Sequence, residues 1–170
     1  MVPVEIVEMA TQDDAEIVRG LLRRYVQWSF DSFPGETEDL SSYYSPERLQ
    51  QALDEVTTDF VSPKGIALIA WSDGRPVGCV LAHPLEPGIA EMKRLFIVPD
   101  ARGNGLGSAL VKTLKRKMAA WGHPTLRLDT AIFLTDAISL CRRIGFVEIE
   151  PYTEIPLGAA KTALFMEWRT

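Results

Sequence analysis

The sequence predicts a mixed α/β (α+β) fold, with a mainly antiparallel central sheet and helices on both faces. Three observations carry this expectation. Seven short stretches read as strands and four longer ones repeat apolar residues at helical spacing. Three consecutive strands joined by short turns precede a β-α-β unit, so antiparallel hairpins meet a parallel crossover in one sheet. A glycine-rich turn, "RGNGLGS" at 102–108, sits between a strand and a helix at that crossover.

Taken in order, "VEIVEM" at 4–9 alternates and opens the chain as a strand. "TQDDAEIVRGLLRRYVQWSF" follows as a helix, with Thr11 as N-cap and Asp14 at the capping-box position. A polar loop containing "FPG" leads to Ser45-Pro46, a favourable start for the helix "PERLQQALDEV". The strands "GIALIAW" and "PVGCVLAH" are joined by "SDGR", a hairpin signal, and "IAEMKRLFIV" is the third of the run. The "AHP" at the end of the second strand reads as a turn, which makes His83 a turn residue, with a proton relay as its alternative role. A helix covers about 105–121, then the strand "TLRLDT" and the short helix "DAISLCRRI", stopped by Gly145. The strands "FVEIE" and "ALFMEW" end the chain. The 170 residues suit a single domain over 1–170, without repeats, low-complexity tracts or linkers.

Composition narrows the function. With 46% apolar and 24% charged residues the chain is of ordinary globular type. The first residues lack the pattern of a signal peptide, and no apolar run approaches a membrane span. Cys79 and Cys141 suggest no disulfide framework, so a cytoplasmic protein is expected, without a membrane partner. Net charge is −5, but residues 92–127 carry a local +7 against −12 elsewhere. An acidic whole argues against nucleic-acid binding, while the basic segment suits a small polyanion. Lys112, Lys115, Arg116 and Lys117 read most simply as a solvated helix face.

Glycine costs conformational entropy, so Gly103, Gly105 and Gly107 within five positions mark a sharp bend or a close approach. The first amides of a helix lack internal partners and carry the positive end of its dipole. The turn can therefore wrap backbone amides around phosphate oxygens, with Arg102 adding charge. A Walker loop is excluded because no Gly-Lys-Ser/Thr triplet follows. A dinucleotide turn is disfavoured by Ser108 at the third fingerprint position and by the antiparallel strands that precede it.

"EMKRLFIVPDARGNGLGSALV" resembles the acyl-CoA site of the GNAT superfamily of N-acetyltransferases. The signature Gln/Arg-x-x-Gly-x-Gly/Ala is met by Arg102, Gly105 and Gly107. "LDTAIFLTDAISLCRRIGFVEIEPY" is similar to the family's second motif, a strand and a short helix ending in Gly-Phe. The tail "PY…PLG…ALFMEW" is similar to a subgroup of bacterial small-molecule acetyltransferases.

The resemblance implies a GNAT fold and acetyl-CoA as cosubstrate. It places the coenzyme A pyrophosphate on the amides of Arg102, Gly103, Asn104, Gly105, Leu106, Gly107 and Ser108. Phe96, Ile97 and Val98 belong to the strand along the pantetheine arm, with Phe96 and Val98 pairing their backbone to it. Ala137, Cys141 and Arg143 of the short helix line the other side. No metal is implied.

Acetyl transfer to an amine needs a neutral amine, a polarised carbonyl, and a thioester held beside the nucleophile. Glu91 is the candidate base, at the spacing where relatives carry a glutamate; alternation puts it on one face with Lys93, Leu95 and Ile97 unless a bulge intervenes. The family's usual acid, a Tyr in "LYxxxGF", is Cys141 here, and its helix Asn is missing, with Leu134 near its place. Cys141 and Tyr152 are the candidate acids. Trp28, Phe30, Phe33, Tyr43 and Tyr44 lie among Asp31, Glu36, Glu38 and Asp39, an acidic-aromatic stretch that favours a cationic acceptor. The expected activity is acetyl transfer to a primary amine of a small molecule, by direct attack in a ternary complex. A non-catalytic acyl-CoA sensor is the alternative. The apolar final strands offer a surface for a homodimer.

Overall fold

The structure is a computed structural model describing residues 3–170; Met1 and Val2 lie outside the described residues. Seven strands form one sheet in the order β1-β2-β3-β4-β5-β7-β6. They are β1 (Val4–Glu8), β2 (Ile66–Ser72), β3 (Arg75–Glu86), β4 (Ile89–Ile97), β5 (Thr125–Ala131), β6 (Val147–Ile149) and β7 (Ala163–Arg169). β4 and β5 are parallel and every other pair is antiparallel. The helices are α1 (Gln12–Ser32), α2 (Thr37–Tyr43), α3 (Pro46–Thr58), α4 (Leu106–Ala120) and α5 (Thr135–Arg143).

Local chemistry accounts for the boundaries. Thr11 and Asp14 form the reciprocal capping box of α1, and the Ser45 side chain accepts the Arg48 amide at the start of α3. Asp73 and Gly74 both take positive φ, 50° and 70°, as the tight turn between twisted strands requires. The Phe146 amide returns to the Cys141 carbonyl at 2.9 Å beyond Gly145, closing α5.

Three features differ from the sequence reading. The polar loop after α1 contains α2, preceded by a 3-10 turn at Pro34–Glu36. Its seven residues are too short for a helical period to show, and Glu38 and Asp39 suit the positive end of its dipole. β3 runs on to Glu86, so His83 lies within a strand opposite Glu91 and not in a turn. At the end of the chain, β7 is paired on both sides and the three-residue β6 forms the edge, with Val147 exposed.

β2, β3 and β4 form the covered centre of the sheet; Ile66–Ala70 and Cys79–Ala82 are fully buried on both faces. On one face Tyr25 and Trp28 of α1 pack on Phe96, at ring-centroid distances of 5.3 Å and 6.1 Å. On the other, α4 approaches Ile97 through Gly107, and Leu110, Leu114 and Met118 enter the core.

Candidate active site

β4 and β5 are joined only through Ile89–Thr125, Ala90–Leu126 and Glu91–Arg127. Past Glu91 the strands part. One cause lies in β4: Leu81 pairs with Lys93 but Cys79 pairs with Phe96, so the Arg94-Leu95 segment holds one extra residue. Arg94 there adopts φ 54°, rare for a residue with a side chain. The bulge reverses the alternation, so Glu91 and Lys93 share a face with Phe96, and Leu95 and Ile97 lie on the opposite one. This is the bulge that the sequence reading named as the exception to its alternation, and it removes Leu95 and Ile97 from the Glu91 face.

A groove of about 1010 Å³ runs along the parted edge of β4 between the turn before α4 and α5. Phe96, Ile97, Arg102, Gly103, Gly105, Leu106, Gly107, Ser108, Ala137 and Arg143 line it. Gly103 and Gly105 have φ of 84° and 75°, and a Cβ on either would project into open space. They serve a left-handed path that leaves the amides bare. No side chain caps α4, so its first amides stay free for an anion. Gly107 differs: a Cβ there would come within 2.8 Å of Leu140 on α5, so it sets how closely the two helices approach.

Arg102 is fixed before any ligand arrives. Its Nε donates to the Ile97 carbonyl at 2.9 Å, and its guanidinium carbon sits 4.2 Å from the Trp28 ring centroid. Asn104 donates to the Ala101 carbonyl across the turn and does not line the groove.

The Val98 amide already donates to Val77 at 2.9 Å, so neither Val98 nor, by strand alternation, Phe96 offers its backbone to the cleft. Leu95 and Ile97 are the residues whose backbone faces it. Cys141 packs into the core at 4% exposure outside the groove lining, and burial pushes its thiol up to about 11. Lys112 and Lys115, read from sequence as solvated, are groove walls; Lys115 Nζ donates to the Ile144 carbonyl at 2.6 Å and lies over the Trp168 ring.

Where β4 and β5 separate, a buried polar cluster forms on Glu91, itself 4% exposed. Its Oε1 meets Lys93 Nζ at 2.8 Å and His83 Nε2 at 3.4 Å. Burial opposes the charge, but His83, Lys93 and Tyr152 outweigh it and hold the carboxyl at about 2. The Tyr152 hydroxyl is buried beside this carboxylate, yet it makes no hydrogen bond of ordinary geometry. Desolvation and the nearby negative charges of Glu91 and Asp129 push its pKa upward. Arg127 lies 5.4 Å from the Tyr152 ring centroid.

A second space, about 80 Å³, lies on the α1 and α2 side and shares Tyr25 and Leu134 with the groove. Tyr43, Tyr44, Asp39, Lys93, Arg94 and Asp129 are among its walls. Tyr43 donates to Asp129 Oδ2 at 2.9 Å, and desolvation with the Asp129 charge raises its pKa. Asp31, Glu36 and Glu38 of the acidic-aromatic stretch do not line it, nor do Trp28, Phe30 and Phe33.

Arg94 and Asp129 are the polar groups that sequence reasoning missed, and His83 is one it weighed and set aside as a turn residue. Each sits singly on a strand, and only register and the bulge show where it ends up. The bulge had one signal: "EMKRLF" interrupts an otherwise apolar alternation with two adjacent cations.

The profile of the acetyltransferase (GNAT) family matches residues 22–146, and the chain belongs to that family, whose acyl donor is acetyl-CoA. An N-acetyltransferase of Schizosaccharomyces pombe, itself uncharacterized, is 40% identical over 97 residues, covering 56% of this chain and 60% of that protein. An IAA acetyltransferase of Azospirillum brasilense is 36% identical over 101 residues, covering 59% and 65% respectively. The matched stretch thus spans less than two thirds of either relative. The structure of a Klebsiella pneumoniae protein described as an acyl-CoA N-acyltransferase is 30% identical and superposes with TM-score 0.69 over 98% of this chain and 97% of that one. PaiA N-acetyltransferase of Thermoplasma acidophilum, solved with coenzyme A, is 18% identical and shares the fold at TM-score 0.72 over 99% of both chains. Among the described residues no helix is long and apolar enough to cross a membrane, and no cluster of side chains is arranged to hold a metal ion.

Proposed function

We propose that this chain transfers the acetyl group of acetyl-CoA to a primary amine of a small molecule, by direct attack in a ternary complex. The observation that carries the reading is the adjacency of two spaces, a backbone-lined groove and a polar-aromatic cavity, across Tyr25 and Leu134. Donor and acceptor held in two such spaces meet without a covalent enzyme intermediate, and positioning supplies much of the acceleration.

In this reading the free amides from Gly103 to Ser108 hold the pyrophosphate, and the open edge of β4 at Leu95 and Ile97 receives the pantetheine arm. The acceptor nitrogen forms its bond to the thioester carbon as the carbon–sulfur bond breaks. The nitrogen's proton leaves through the Glu91–His83 pair. A carboxyl held at about 2 stays ionised and is a weak proton acceptor by itself, so Glu91 supplies the charge and His83 carries the proton. Tyr152 serves the departing thiolate as a hydrogen-bond donor: its raised pKa disfavours full proton loss, and its hydroxyl lies beside the Glu91 carboxylate. Cys141, packed into the core, has no part in this reading.

Calorimetric titration with acetyl-CoA, with NAD as control, followed by thiol release over a panel of amines, tests the proposal. Heat from acetyl-CoA alone and amine-dependent thiol release are expected. Binding without thiol release for any amine supports an acyl-CoA sensor, and absence of binding removes the donor site.

A further inference from the structure

The smaller cavity contains an arrangement that an amine alone does not call for. Arg94, Asp39 and Asp129 line it together, yet among the described residues no ion pair joins Arg94 to either acid. Half-buried opposite charges attract strongly and collapse onto each other unless something holds them apart. Both acids are held. Asp129 accepts from the Tyr43 hydroxyl at 2.9 Å, and Asp39, only 7% exposed, accepts from the Thr162 hydroxyl. Arg94 springs from the bulge of β4, and its side chain has no hydrogen-bond partner among the described residues. The cavity is therefore charge-separated, negative at α2 and β5, positive at the bulge.

From this separation we infer that the acceptor is a zwitterion: an amine that also carries a carboxylate, the chemical class of free amino acids. This rests on the proposed amine transfer and names its substrate class. Asp129 and Asp39 receive the ammonium before its proton leaves, with the tyrosine faces beside them favouring a cation. Arg94 takes the carboxylate, whose two oxygens match its planar fork. A phosphate, with more oxygens to satisfy, calls for more donors than one guanidinium supplies here. The lysine nearby does not compete, since Lys93 is engaged with Glu91 at 2.8 Å. The tyrosine walls complement an apolar side chain.

The test is calorimetry on the full chain in saturating coenzyme A, with the twenty amino acids and, for each binder, its decarboxylated amine, such as phenylalanine against 2-phenylethylamine. The expected result is an amino acid binding roughly 10- to 100-fold more tightly than its amine, the size of a charge-assisted hydrogen-bond pair. Arg94→Gln brings the two within about 3-fold and Arg94→Lys restores part of the difference, while coenzyme A affinity and the circular dichroism spectrum stay unchanged. Equal or tighter binding of the amines, or no amino-acid binding across the set, overturns the inference. Thiol release is scored separately. Turnover of carboxylate-free amines with no carboxylate preference removes the zwitterion and leaves amine transfer standing. Carboxylate-dependent binding without thiol release removes the transfer and leaves the site.

Discussion

The groove and the cavity share Tyr25 and Leu134 but are made of different material. The groove's anion end is main chain: bare amides, two glycines at positive φ and a helix start without a side-chain cap. The cavity is side chain, with Arg94, Asp39, Asp129 and three tyrosines brought from α1, α2, β4 and β5. A main-chain site is specified by a short contiguous stretch, because only glycine allows that path. A side-chain site is specified by distant positions and the register between them. In the proposed reading the first recognises what every acyl-CoA shares, and the second is free to differ with the acceptor.

Substitutions should separate the two regions. Gly105→Val places a β-branched residue at φ 75° in otherwise open space. It should weaken acetyl-CoA binding roughly 10- to 100-fold, the size of left-handed strain, and leave the fold intact by circular dichroism. Calorimetry reads the loss, and normal binding would sink the phosphate cradle. Glu91→Gln acts in the buried cluster where β4 and β5 separate, on a residue that lines neither space: turnover should fall about 100-fold with the acetyl-CoA Kd unchanged. Unchanged turnover of the variant across pH 6 to 9 would remove Glu91 from the proton path.

Tyr152→Phe should lower turnover about 10-fold with the acetyl-CoA Kd unchanged, since it removes the hydroxyl that lies beside the Glu91 carboxylate. Unfolding in urea gives a fourth check. Because the folded Glu91 carboxyl is held at about 2, below its ordinary 4.5, its contribution is fully present above pH 4.5. That contribution fades as pH falls towards 2, and Glu91→Gln should lack this component. The smallest effect belongs to Cys141→Ala, which should keep turnover within about 2-fold and lower Tm slightly, as for a small core residue. A larger loss would return Cys141 to the chemistry.

The element order and the anion turn were legible in sequence because each rests on local rules: the Thr11–Asp14 capping box, the Asp73-Gly74 turn, the glycines before α4. α2 escaped because seven residues carry too little period, and His83 because Pro84 looked like the end of a strand that in fact continues. Glu91 was visible, and alternation placed Lys93 on its face. His83 reaches it across a register and Tyr152 from a loop, and neither of these leaves a mark in spacing. Arg94 was the hardest to place, because a bulge moves it out of the alternation that sequence reasoning relies on.

The short seam between β4 and β5 divides the sheet into two panels, β1 to β4 and β5 to β7, joined by three residue pairs. In the proposed reading the donor lies between β4 and α5, the helix that links β5 to β6, and binds the folded chain and not the unfolded one. Its free energy therefore couples the panels' opening equilibria and raises the melting temperature with its concentration. The smaller panel, with an edge strand of three residues, is expected to gain most: its amide protons should exchange more slowly with the donor bound, while those of the buried β2 and β3 should hardly change. Occupancy is then readable as sheet cohesion, independently of any chemistry the chain performs.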